Sequence, residues 1–148
     1  MSTRVAVLVL SVTLALTQHA VAQVSDNVVR IGLLTDYTGV FSALSGQGGV
    51  IAARMAVEDF GGTVLGKPIE IVQADHGNKA DTAVAIAKRW YDVDGVDMIA
   101  DVPNSSVALA VQAIAREREK ITIASGAGTA EFTGKSCTST SFQWTWDT

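Results

Sequence analysis

Asn104, Ser105 and Ser106 stand where a short apolar run, residues 98–102, stops at Pro103 and a long apolar-periodic stretch begins. Residues of these types at such a junction read as a strand, a tight loop and a helix start. The first backbone N–H groups of a helix have no partner within it and lie at the positive end of its dipole. A start of this kind favours an anion such as a carboxylate. Asn and Ser are also ordinary N-caps, and capping alone accounts for them when the loop is taken in isolation. A second loop, Ser125-Gly126-Ala127-Gly128-Thr129, follows residues 121–124. Its glycines let backbone approach a ligand closely, and Thr129, like Ser105, offers a hydroxyl donor. Adjacent loops of this composition could grip both the carboxylate and the ammonium of an amino-acid-like solute, because a zwitterion needs donors at one end and acceptors at the other.

The elements that must position these loops follow from periodicity. Residues 28–34 form a β-rich, nearly continuous apolar run, as expected of a strand buried on both faces. A Gly- and Ser-rich loop, residues 37–48, leads to a helix over 49–60, where Val50, Ala53, Val57 and Phe60 recur at three- and four-residue steps. Gly61-Gly62 supplies its C-cap. A second strand over 67–74 is entered through Pro68. Asn78 is the expected N-cap of a second helix running to about residue 93, with Ala83, Ile86, Ala87, Trp90 and Tyr91 on its inner face. A third strand covers 98–102. A third helix begins at Ser105 or Ser106, with Val107, Leu109, Val111, Ile114 and Ala115 apolar and residues 116–120 solvated. A fourth strand covers 121–124, and a fifth covers 141–146.

Strand and helix alternate three times before the fourth strand, and crossovers of that length give parallel strands with right-handed connections. The expected fold is α/β, a three-layer doubly wound parallel sheet. Ligands of such sheets sit at the carboxyl ends of the strands. Those ends are Thr35-Asp36, Asp75-His76, Asn104-Ser105 and Gly126 to Thr129, all small, polar or Gly-containing.

Catalytic chemistry is poorly supplied. Asp36, Asp75 and Asp101 lie at or near strand ends and could act as bases, although a strand-end Asp ordinarily fixes a loop or caps a helix. His76 has no second His or Cys at metal-ligand spacing and reads as a surface loop residue. No nucleophile-elbow motif occurs, since Ser125-Gly126-Ala127-Gly128 does not match G-x-S-x-G. Gly46-Gln47-Gly48-Gly49-Val50-Ile51 comes near the dinucleotide fingerprint G-x-G-x-x-G, with Asp75 where a ribose-binding acid would sit. However, Ile51 occupies the third Gly position, and the run lies well beyond the first strand. No phosphate-binding Gly-Lys-Ser/Thr occurs either. The reading is a non-enzyme without cofactor or metal.

The 148 residues suffice for one domain with a core, and a net charge of −4 without any basic cluster argues against nucleic acid and anionic membrane surfaces. Arg4, an apolar stretch over 5–16 and Ala20-Val21-Ala22 have the pattern of a cleaved secretory signal peptide, residues 1–22. The stretch is too short to span a bilayer comfortably. The mature chain, 23–148, is then an exported protein. Cys137 is the single cysteine. An exported chain with one Cys suggests an intermolecular bond, a free thiol or a missing partner, and a buried structural thiol is the plain alternative.

Several stretches taken together resemble one family. Gly61-Gly62…Leu65-Gly66-Lys67-Pro68-Ile69-Glu70, Asp75-His76…Asn78-Lys79-Ala80-Asp81, residues 101–111 and Ser125-Gly126-Ala127-Gly128-Thr129…Phe132-Thr133-Gly134 are similar to the leucine-binding-protein-like group of type I periplasmic binding proteins, which feed ABC importers. The resemblance runs from about residue 28 to the end. It implies two α/β lobes closing on a solute, with this chain holding the N-terminal lobe and ending before the second. It also implies a periplasmic location, permease subunits in the inner membrane as partners, and an amino-acid-like ligand. By resemblance, Asn104 and Ser105 with Ala127, Gly128 and Thr129 hold the α-carboxylate and α-ammonium groups, while Leu44 and Ser45 line the pocket. Amino-acid binders of the family often carry a Tyr in that lining loop and a Thr where Gly128 stands. The absence of that Tyr leaves an aromatic or organic acid open as the ligand. The alternatives are a ligand-sensing module of the same fold and an exported α/β enzyme using Asp36 or Asp75.

Overall fold

The computed structural model describes Val24 and residues 26–148; the signal-peptide reading of residues 1–22 lies outside the described residues. The elements are β1 (Val29–Thr35), α1 (Gly46–Asp59), β2 (Thr63–Val64), β3 (Lys67–Asp75), α2 (Ala80–Asp92), β4 (Met98–Asp101), α3 (Ser105–Glu117), β5 (Ile121–Ala124) and β6 (Ser141–Gln143). They form one sheet in the order β2-β3-β1-β4-β5-β6, parallel except for the β2–β3 pair. The chain steps from β1 to one neighbour through α1, then returns past β1 to β4 through α2. The strand order therefore reverses between β1 and β4, the place where ligands of doubly wound sheets bind.

Side chains alternate strictly across the sheet. Gly32 and Leu34 of β1 face α2, and a Cβ on Gly32 would lie 2.5 Å from Trp90 Cζ3. A larger residue there would hold α2 off the sheet. Ile99, Thr122 and Ala124 share this face and are buried with Ala83, Ala87, Val107, Val111 and Phe132. The opposite face is covered only in part. Helix α1 lies against β1 and β3, where Val50 is fully buried, while Ile51 and Met55 are exposed.

Four sequence expectations need correction. Helix α1 starts at Gly46 and ends at Asp59, so Phe60 is the C-cap and points to solvent, 66% exposed. Asn78 does not cap α2: it takes φ +58, and Lys79 occupies the cap position without a side-chain bond. The third strand stops at Asp101, because Asp101 (φ +80) and Val102 (φ +49) turn into the left-handed region. The last strand is shorter than expected, Ser141–Gln143. The sequence reading also lacked β2. Leu65 and Gly66, both at positive φ, make a two-residue turn that pairs Val64 with Lys67 and Thr63 with Pro68.

Candidate functional site

The loops after β1, β3, β4 and β5 meet along one rim, as the strand-end reading required. Their acids are largely committed to backbone. Asp36 is fully buried and accepts from the N–H groups of Gly39 (2.8 Å) and Phe41 (2.9 Å), folding the loop before α1 upon itself. Asp75 accepts from Tyr37 N (3.0 Å), Thr38 Oγ1 (2.8 Å) and Gly77 N (2.7 Å). Burial works against the Asp75 carboxylate, but those three donors outweigh it and hold its pKa below the usual value. Both aspartates fix their loops.

His76 is not the surface residue expected from sequence; it is fully buried. Its Nδ1 accepts from Asn78 N at 3.0 Å, so the ring proton sits on Nε2, which has no partner among the described residues. Burial depresses its pKa, against the pull of Asp36, Asp75 and Asp101. Gly46-Gln47-Gly48 forms the first turn of α1 and not a tight turn after β1, which removes the dinucleotide reading.

Asp101 couples the two site loops. Its Oδ1 accepts from Ser125 Oγ (2.9 Å), and its carbonyl accepts from Ser125 N (2.9 Å). The loops then close to contact, since a Cβ on Gly126 would sit 3.1 Å from Pro103 Cα. Asn104 caps α3, its Oδ1 accepting from Val107 N at 3.0 Å and from Ser106 Oγ at 2.6 Å. The cap takes the third N–H of the helix, and the first two, of Ser105 and Ser106, have no partner within it.

The remaining candidates divide. Ser45 is buried and receives the Thr35 hydroxyl at 2.9 Å, while Thr35 Oγ1 accepts from Gly46 N at 2.7 Å. Ser45 thus anchors the start of α1. Leu44 is 62% exposed on the same loop. Ala127 is fully buried, and its carbonyl accepts from Gln143 Nε2 at 3.0 Å. Gly128 and Thr129 are half-buried, and Thr129 Oγ1 accepts from Glu131 N at 3.2 Å. Sequence reasoning missed Gln143 and Trp146, which reach this loop from beyond β6; nothing in local spacing ties residues 143–146 to 127–128. Cys137 is exposed, which excludes a buried structural thiol. Among the described residues no cluster of His, Cys, Asp or Glu is arranged to hold a metal, and no helix is long and apolar enough to cross a membrane.

The sequence profile of a periplasmic binding protein family matches residues 28–148. Among solved structures, a periplasmic binding protein from Burkholderia mallei is 44% identical, with a TM-score of 0.80 over 82% of this chain and 32% of its own. A branched-chain amino acid ABC transporter periplasmic ligand-binding protein from Burkholderia xenovorans is 39% identical, with a TM-score of 0.73 over 76% of this chain and 30% of its own. A solute-binding protein of an ABC transporter from Rhodopseudomonas palustris, in complex with benzoate, is 26% identical, with a TM-score of 0.75 over 81% and 33%. The chain thus spans about a third of the length of these relatives. Among curated proteins none matches.

Proposed function

Because this chain belongs to the periplasmic binding protein family, we propose that it contributes the first lobe of an extracytoplasmic receptor that delivers a small carboxylate to an ABC importer. Residues 1–22 would be the export signal, residues 23–148 the lobe, and a second lobe would complete the cleft. The relatives named above carry branched-chain amino acid transport and a benzoate complex in their descriptions, and the group common to those solutes is a carboxylate. The observation that carries the reading is the contact between the two strand-end loops. Pro103, which leads into the capped start of α3, lies directly against Gly126 of the second loop. Helix N–H groups hold the carboxylate, the neighbouring loop borders the rest of the molecule, and Leu44 and Ser45 close the pocket on the α1 side.

No step of this reading is chemical. Asp36 and Asp75 spend their carboxylates on holding loop backbone, and Asp101 on Ser125, which supports binding and release of an unchanged solute. A single lobe supplies one wall of a cleft, and affinity should accordingly be weak. The test is an amide-resolved NMR titration of the chain with L-leucine and with benzoate, using benzamide as the uncharged control. Millimolar affinity with shifts at Ser105, Ser106 and Thr129, absent with benzamide, is the expected outcome. Equal response to benzamide, or shifts confined to other surfaces, would falsify it. Tight one-to-one binding by calorimetry would overturn the single-wall account.

A further inference from the structure

The segment beyond β6 does not trail away from the site. Gln143 Nε2 donates to the carbonyl of Ala127 (3.0 Å) and to that of Trp146 (2.8 Å), clamping the tail to the loop after β5. The Trp146 indole then lies on Gly128. A Cβ built on that glycine would meet ring atoms Nε1, Cδ1 and Cε2 at 2.8, 3.2 and 3.7 Å. The five-membered ring thus rests where any other residue would carry its side chain, so the missing Cβ is what lets the indole approach. Despite this seat, 59% of Trp146 is exposed, and a broad aromatic surface remains uncovered beside the site loop. Trp144 is different: it turns to the sheet face and lines an apolar cavity with Met98, Ile121, Ile123 and Phe142.

We propose that Trp146 is a specificity-determining wall of the strand-end site, selecting carboxylates that carry a flat aromatic ring. The proposal rests on the carboxylate reading given above and adds the class of the attached group. An indole face prefers an offset-stacked or edge-on aromatic partner and gains less from a puckered or branched aliphatic group of equal size. Gly128 seats one edge of the ring, and Gln143 holds the Trp146 backbone carbonyl, so the segment lies beside the loop before a ligand arrives.

Benzoate and cyclohexanecarboxylate have the same charge and ring size and differ in planarity. Their dissociation constants, measured by NMR titration of the chain, are compared with those for Trp146→Ala, Trp146→Phe and Gly128→Ala. The Trp146 indole N–H resonance is identified by its loss in Trp146→Phe. Benzoate should move that resonance, and Trp146→Ala should weaken benzoate about tenfold while leaving cyclohexanecarboxylate within about twofold. Trp146→Phe should keep benzoate within about threefold, because a phenyl ring still stacks. Gly128→Ala, which displaces the indole, should reproduce the alanine loss. Unchanged benzoate affinity in Trp146→Ala, or equal losses for both acids, overturns the wall while the carboxylate site stands. If neither acid shifts the Ser105 and Ser106 amides of the parent chain, the carboxylate site itself falls, and the wall with it.

Discussion

On one side of the sheet, Ile99, Thr122 and Ala124 lie buried beneath α2 and α3; on the other, their strand neighbours Met98, Ile121 and Ile123 line an open cavity of about 510 Å³ with Phe142 and Trp144. The two sets alternate along the same strands, so strand propensity and hydropathy cannot distinguish them. What differs is cover. Helix α1 lies mainly over β1 and β3, and the face of β4, β5 and β6 at Met98, Ile121, Ile123 and Phe142 opens into the cavity. Strands apolar on both faces are built for cover on both faces. The sequence therefore encodes a two-sided core, of which the described residues close one side and half of the other.

Two phenylalanines put this contrast to its hardest test. Phe132 is 1% exposed in the closed core, with its carbonyl accepting from Gln112 Nε2 at 3.0 Å, whereas Phe142 is 50% exposed on the open side. Phe132→Ala should cost about 3–5 kcal/mol by urea denaturation. Phe142→Ala should cost less than about 1 kcal/mol. Similar losses at both positions would mean that the open face is covered in solution.

Two glycines extend the comparison to small residues. Gly32→Ala drives a methyl into Trp90 and should destabilise by about 1–3 kcal/mol. Gly48 lies in α1 on the sparsely covered side with nothing within 4 Å of an added Cβ, so Gly48→Ala should stabilise by about 0.5–1 kcal/mol. Thermal melts of the pair check both signs.

Burial at the rim yields a pH dependence of intermediate size. His76 is held neutral in the fold, with its pKa lowered, so below about pH 6.5 the unfolded chain takes up a proton that the folded chain refuses. Stability should therefore fall as pH drops below that value, by at most about 1.4 kcal/mol per pH unit, until the folded-state pKa is reached. Urea midpoints at pH 7.5, 6.5 and 5.5 measure the slope, which His76→Gln should flatten. An unchanged slope in that variant would assign the effect to other groups.

Much of this molecule was legible in sequence because its signals are periodic. Ala83, Ala87, Trp90 and Tyr91 declare the inner face of α2, and Val107, Val111, Ile114 and Ala115 that of α3; all are buried. Asn104 declares its cap. The failures lie where side chains compete locally or meet from afar. Asn78 sits at φ +58 one residue before the cap position, with its Oδ1 buried and unpartnered, an outcome no propensity ranks. Phe60 fits a helical stripe by spacing and keeps helical backbone at the C-cap, yet it lies at the end of α1 and is exposed. Trp146 reaches Gly128 only because β6 pairs beside β5, which is a property of the sheet and not of residues 144–148.

Asp101 and Val102 hold consecutive left-handed backbones without a glycine, at a cost of about 1–2 kcal/mol for each. Folding absorbs that expense, through the Ser125 bonds and the buried Val102 side chain, before any solute is met. The turn is consequently sprung and latched. In the carboxylate site proposed above, such a turn would meet its guest already ordered, so little ordering entropy is charged to docking and capture should proceed at the pace of encounter.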